Sequence, residues 1–140
     1  MAVFENYAQF STKKVARTLE LAVTELVALR QNTLTPDFIL LALLGQPDAE
    51  PLHILERLLP NVAETAVKLR SNVQAHYQLA VPRQGNQILV TEEINEMFRL
   101  AHEEARRLGD GFIATGTLFL ALFDPLCGGD AERLREAGID

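Results

Sequence analysis

The sequence predicts an all-α fold, two pseudo-symmetric helical repeats packed as one domain, and three observations carry this expectation. The first is an internal echo. Leu21-Ala22, Glu25, Leu29, Leu34 and the apolar run 40–44 recur 79 positions later as Leu100-Ala101, Glu104, Leu108, Ile113 and the run 119–123. Glu56-Arg57-Leu58 is answered by Glu132-Arg133-Leu134 with a slight change of register. The second is composition. Apolar residues make up 48% of the chain, aromatics only 6%, and Trp is absent, so the core must be built from Leu, Val, Ile and Ala, which suits helices. The third is spacing, because apolar residues recur at three and four positions throughout. A repeat this small buries its apolar face only against its copy. The 140 residues should therefore form one domain, with repeat one over about 10–79, a linker over about 80–90 and repeat two over about 91–140.

Each element has a local cause. Phe10-Ser11 offers a staple residue and an N-cap, and Val15, Leu19, Val23, Leu26 and Leu29 then place an apolar stripe on a helix over residues 12–30. Gln31-Asn32-Thr33 breaks it. Thr35-Pro36-Asp37 restarts a helix with a capping oxygen, a proline at the first position and an acid at the positive end of the macrodipole. Residues 38–44 are apolar all round, so this short helix belongs inside the domain until Gly45 stops it. A third helix is expected over 52–59, ended by Pro60, and a fourth over 62–79, with Val62, Ala66, Leu69, Val73 and Tyr77 along one stripe.

Residues 80–87 concentrate Pro, Gly and amides and read as the linker between repeats. Ile88-Leu89-Val90 is expected to run extended before Thr91 caps the next helix, whose Glu92 and Glu93 complement its dipole. Ile94, Phe98, Ala101, Ala105 and Leu108 repeat the stripe of the first helix. Thr115 takes the place of the earlier cap pair, a buried run 118–123 follows, and a short helix over about 130–136 ends at Gly138. The second copy shows no counterpart of the helix 62–79, as expected of a segment cut one helix early or of a naturally clipped version.

The net charge of −6 argues against nucleic-acid binding, which needs clustered Lys and Arg, and favours basic or amphiphilic polypeptides as partners. Cys127 is the single cysteine and forms no internal disulfide; a free and partly exposed thiol is expected. No signal sequence is recognisable and no apolar run approaches the roughly 18 residues of a membrane span, so a soluble, cytoplasmic protein without membrane contact is expected. Catalysis finds little support. His102-Glu103-Glu104 lies on a helix, but Arg106 stands where a zinc protease needs its second histidine. His53 and His76 lie on different helices without a Cys or acid at ligand spacing, Cys127 has no nearby base, and the acids isolate no general acid/base pair. The expectation is no catalytic residue, no metal and no cofactor.

The duplicated pattern of a helix, an aliphatic residue, a Thr/Pro-acid start and an aliphatic run resembles the Clp amino-terminal domain. Its strongest pieces are residues 34–44 and Gly109-Asp110-Gly111-Phe112-Ile113 through residue 122, and Leu-Arg-Glu-Ala-Gly-Ile-Asp closes the chain. The resemblance covers residues from about 10 to the C-terminus. It implies a substrate- or adaptor-binding domain that precedes the AAA+ ring of ATP-dependent unfoldases and disaggregases. Unfolded or aggregated polypeptides, adaptor proteins and the Clp ring would be its partners. No phosphate-cradling Gly-x-x-x-x-Gly-Lys-Ser/Thr loop occurs in this chain, so any ATPase activity would reside elsewhere. The alternative is a free-standing accessory protein that docks on a Clp ring and regulates it.

The resemblance also implies site residues. Ser11 and Asp110 match positions beside a shared substrate surface, although an N-cap and an Asx turn are equally good local roles for them. Asp37 keeps an acid that reads basic or phosphorylated arginine in some branches, whereas Gly116 has lost its partner acid. Phe98, Leu100 and Leu118 match positions near a hydrophobic groove, with the core as the competing destination.

Overall fold

Helix α1, Lys13–Ala28, takes its N-cap from Thr12, whose Oγ1 accepts the Val15 N–H at 3.3 Å. Ser11 was the expected cap. It is instead drawn one residue further out, into a parallel bridge with Ile113. In this computed structural model the described residues are 11–46, 50–59, 61–78, 88–109, 111–137 and 139, with the side chains of Glu50 and Leu58 left aside. Val15, Thr18, Ala22 and Leu26 form the buried stripe of α1, flanked by half-buried Leu19, Val23 and Leu29. Thr18 is tolerated there because its hydroxyl donates to the Lys14 carbonyl at 2.8 Å and accepts from Gln46 Nε2 at 2.7 Å. Past the helix end Arg30 adopts a left-handed φ of 56°, and the Gln31 N–H returns to the Leu26 carbonyl at 3.0 Å. Its counterpart 79 residues on is Gly109, at φ 83°.

Helix α2, Pro36–Leu44, begins at Pro36 as expected, and residues 38–44 are all buried. Thr35 occupies the N-cap position, but its hydroxyl turns to Tyr77 rather than to the helix N–H groups. Gly45 ends α2 at φ −87°, so no left-handed turn calls for glycine. Space does: a Cβ there would stand 3.1 Å from the Arg70 guanidinium. Helices α3, Glu50–Leu58, and α4, Val62–Gln78, complete the first half, α4 burying Ala66, Leu69 and Val73. Being apolar on every side, α2 packs against each of the six other described helices, which makes it the axis of the core.

The expected extended segment after the linker forms β2, Leu89–Val90, paired in parallel with β1, Thr33–Leu34. The linker itself, 80–87, lies outside the described residues. Helix α5, Glu92–Arg107, buries Ile94, Met97, Phe98, Ala101 and Ala105. Leu108 departs from the expected stripe and is 59% exposed. Thr91 stands at the N-cap of α5 without a capping bond, its hydroxyl buried and unpartnered. Helix α6, Thr115–Ala121, is capped by Thr117, which accepts the Ala114 N–H at 3.1 Å and donates to the Ala114 carbonyl at 2.9 Å. A 3₁₀ turn, Pro125–Cys127, leads to helix α7, Asp130–Glu136. Cys127 is buried in the core rather than partly exposed.

The two halves interlock through equivalent bonds. The Thr12 N–H reaches the Ile113 carbonyl at 3.0 Å, and the Thr91 N–H reaches the Leu34 carbonyl at 3.2 Å. Donor and acceptor each lie 79 positions from their counterparts, so the duplication in sequence is a duplication in hydrogen bonding. Each half lends its helix-leading segment to the other. That exchange satisfies backbone groups that two isolated repeats would leave to solvent.

Candidate functional site

Between α5 and α6 lies a groove of about 380 Å³. Its floor is Thr117 and Ala121, both buried, and its apolar wall is Leu100 and Leu120. Leu120 was expected inside the buried run 118–123, yet 49% of it is exposed. The rim carries Glu103, Glu104 and Asp124 against one base, Arg107. Arg107 is hydrogen-bonded to Glu104, and this bond holds the Glu104 carboxyl below its ordinary range. Glu103 receives Arg99 at 2.8 Å. The groove therefore combines exposed aliphatic surface with an excess of negative charge.

A second polar constellation centres on Asp37. Tyr77 Oη donates to its Oδ2 at 2.5 Å, which leaves the Thr35 hydroxyl to donate to Tyr77 across 2.9 Å. Arg133 Nη1 donates to Asp37 Oδ1 at 2.9 Å and also to Asp130 Oδ1, while its Nε reaches Asn72 Oδ1 at 2.7 Å. Burial works to raise the Asp37 carboxyl, but hydrogen bonds from Asp130 and Tyr77, together with the charge of Arg133, hold it below its ordinary value. Asp130 goes the other way. Burial, then the charge of Asp37 and a hydrogen bond with it, push Asp130 up to about 8. Its Oδ2 is buried and receives no donor, so a proton kept on Asp130 turns a stranded acceptor into a donor for Asp37. One guanidinium and one shared proton balance the buried Asp130 and the half-buried Asp37.

The residues proposed from sequence are dispersed by the fold. Leu100 lines the groove. Phe98 and Leu118 are buried in the core, and the exposed apolar side chain beside them is that of Leu120. Ser11 belongs to the bridge between halves. Asp37 holds a guanidinium, but an internal one, that of Arg133, and no acid faces it from the buried Gly116. Asp110 lies outside the described residues. Leu120, Glu104 and Asp124 also line the groove and were not among the residues named from sequence. A signal for them existed in the 79-residue echo, which maps them onto Leu41, Glu25 and Gly45 in the half that carries α4.

His53 lies 3.9 Å from Glu56 on the surface of α3, and His76 packs edge-on against Tyr77. Among the described residues no group of three or more His, Cys, Asp or Glu is placed to hold a metal ion. None of the described helices is long and apolar enough to cross a membrane.

The family described as the Clp repeat (R) N-terminal domain matches residues 10–137. The chain belongs to the Clp repeat N-terminal domain family. Its fold is that of a Clp N-terminal domain: the N-terminal domain of the caseinolytic protease associated chaperone ClpD from Arabidopsis thaliana superposes with a TM-score of 0.66. The match covers 94% of this chain and 89% of that one at 17% identity. No curated protein matches the chain. As a Clp N-terminal domain it is all-α and associated with Clp chaperones.

Proposed function

We propose that this Clp N-terminal domain is a substrate- or adaptor-binding module of an ATP-dependent Clp chaperone, capturing unfolded or tagged polypeptides for an AAA+ ring. The supporting observation is the groove between α5 and α6, where Leu120 and Leu100 stand above a buried floor and acids form the rim. Aliphatic surface open to water favours apolar segments, and Glu103, Glu104 and Asp124 favour segments with basic flanks. Binding rather than chemistry also fits the cysteine. Burial, then the charge of Asp124, push the Cys127 thiol up to about 12, which keeps it protonated and unreactive at neutral pH. A groove with two apolar anchors binds weakly, which suits a domain that must release its cargo and gains strength by acting as one of several on a ring.

The test is capture of a permanently unfolded, fluorescently labelled polypeptide by the chain and by Leu120→Asp. Losing one apolar anchor and adding a charge should weaken binding about tenfold, equivalent to about 1.4 kcal/mol. The thermal midpoint should stay within about 3 °C, because the side chain is half exposed. Unchanged capture by a folded variant would remove the groove from the function.

A further inference from the structure

We propose that α7 is a pH-sensitive latch: a proton held between Asp130 and Asp37 keeps this helix closed on α2, and loss of the proton lets α7 open locally while the rest of the fold stands. The geometry behind it is a pair of carboxyl groups on one guanidinium. Arg133 Nη1 donates to Asp37 Oδ1 at 2.9 Å and also to Asp130 Oδ1. Asp37 belongs to α2, whereas Asp130 and Arg133 belong to α7, so the two acids face each other across the joint between helices. Asp130 is 1% exposed and its Oδ2 meets no donor. With the proton in place Asp130 is neutral and donates to Asp37, and the remaining carboxylate is matched by the guanidinium. Without it two carboxylates share one cation, and an uncompensated negative charge stands at the joint, away from water.

The groups around the joint single out Asp130 as the one that changes state. From α4, Tyr77 donates to Asp37, and burial, then that bond, push its hydroxyl well above its ordinary value. Asn72, also of α4, is neutral and accepts from Arg133 Nε at 2.7 Å. From the 3₁₀ turn, burial and then Asp124 push the Cys127 thiol up to about 12. Glu96 and Arg99 of α5 act on that thiol and are paired with each other at 2.7 Å. Burial works against the Arg133 cation, but the charges of Asp37 and Asp130 raise it above its ordinary value. Asp130 itself is pushed up to about 8, by burial and then by Asp37. The opening is local because α7 has little else to hold it. Its 7 residues bury one aliphatic side chain, Leu134, besides Asp130. An element with so small an apolar hold lies at the low-stability end of a fold.

Cys127 reports on the latch, since it is 1% exposed and sits in the 3₁₀ turn on which α7 packs. Its rate of reaction with a pyridyl disulfide, measured on the full chain from pH 5 to pH 9 and divided into the rate of the same chain unfolded in urea at the same pH, gives a protection factor free of the thiol's own titration. Protection should fall by up to about tenfold per pH unit as pH rises toward 8 and level off above it, as one linked proton requires. Asp130→Asn keeps a donor toward Asp37 at every pH and should make the profile flat. Asp37→Asn removes the facing charge and should flatten it too, so the test survives if one variant fails to fold. His76 packs edge-on against Tyr77, and His76→Gln should leave the slope in place. Constant protection in the parent chain, an equal fall in both Asn variants, or a slope abolished by His76→Gln would each overturn the latch. A fall whose urea dependence equals that of global unfolding would also overturn it, because the whole chain rather than α7 would then be opening.

Discussion

Arg133 and Asp37 join the two repeats across 96 positions of sequence, Nη1 lying 2.9 Å from Oδ1. The arginine comes from α7 at the end of the second repeat, the acid from the first turn of α2 in the first. The bond thus ties the last described helix to the helix at the centre of the core.

Replacing Arg133 with Met should accordingly be costly. The change leaves Asp37 and Asp130 facing each other without their shared cation, and removal of one partner from a buried ion pair costs about 3 kcal/mol. A urea titration should show the midpoint falling with an unchanged slope. An unaltered midpoint would mean that solvent compensates the two acids.

The same cluster gives stability a pH dependence of definite sign. Asp130 titrates near 3.8 when unfolded and near 8 when folded, so between these values the folded chain keeps a proton that the unfolded chain has released. Its contribution is fully present below pH 3.8 and is lost as pH rises toward 8. Asp37, held below 3.8 in the fold, contributes in the opposite sense and loses its share as pH falls through the acid range. Stability should therefore decline from mildly acidic toward mildly alkaline pH, and Asp130→Asn should flatten that decline. A thermal-melt series from pH 5 to pH 9 checks both curves (about one pH unit per step resolves a slope of this origin).

Arg30 and Gly109 occupy equivalent helix ends, both left-handed, and only one of them is the residue that this backbone accommodates without strain. Arg30→Gly should stabilise the fold by about 0.5–1 kcal/mol, the usual difference between glycine and a side chain at such a position. The melting temperature should rise by about 2–4 °C. A fall would show that the Arg30 side chain contributes more than its backbone conformation costs.

What the sequence determined by itself was whatever depends on neighbours along the chain. The 3.6-residue stripe of α1, the Pro36 start and all-round apolar character of α2, and the extended residues before α5 are local consequences of residue type and spacing, and each was legible. The 79-residue echo carried the two-repeat organisation, and the bonds of Thr12 and Thr91 follow the same 79-residue shift. Tertiary structure alone decided which faces meet. Ser11 gave up the N-cap because Ile113, from the other repeat, takes it into a bridge. Phe98 and Leu118 went to the core while Leu120 did not, since burial depends on which elements pack over a surface, as α4 packs over Glu25 and Leu41. Asp37 drew Arg133 for the same reason: a charge partner distant in sequence is chosen by packing, to which helical periodicity is blind.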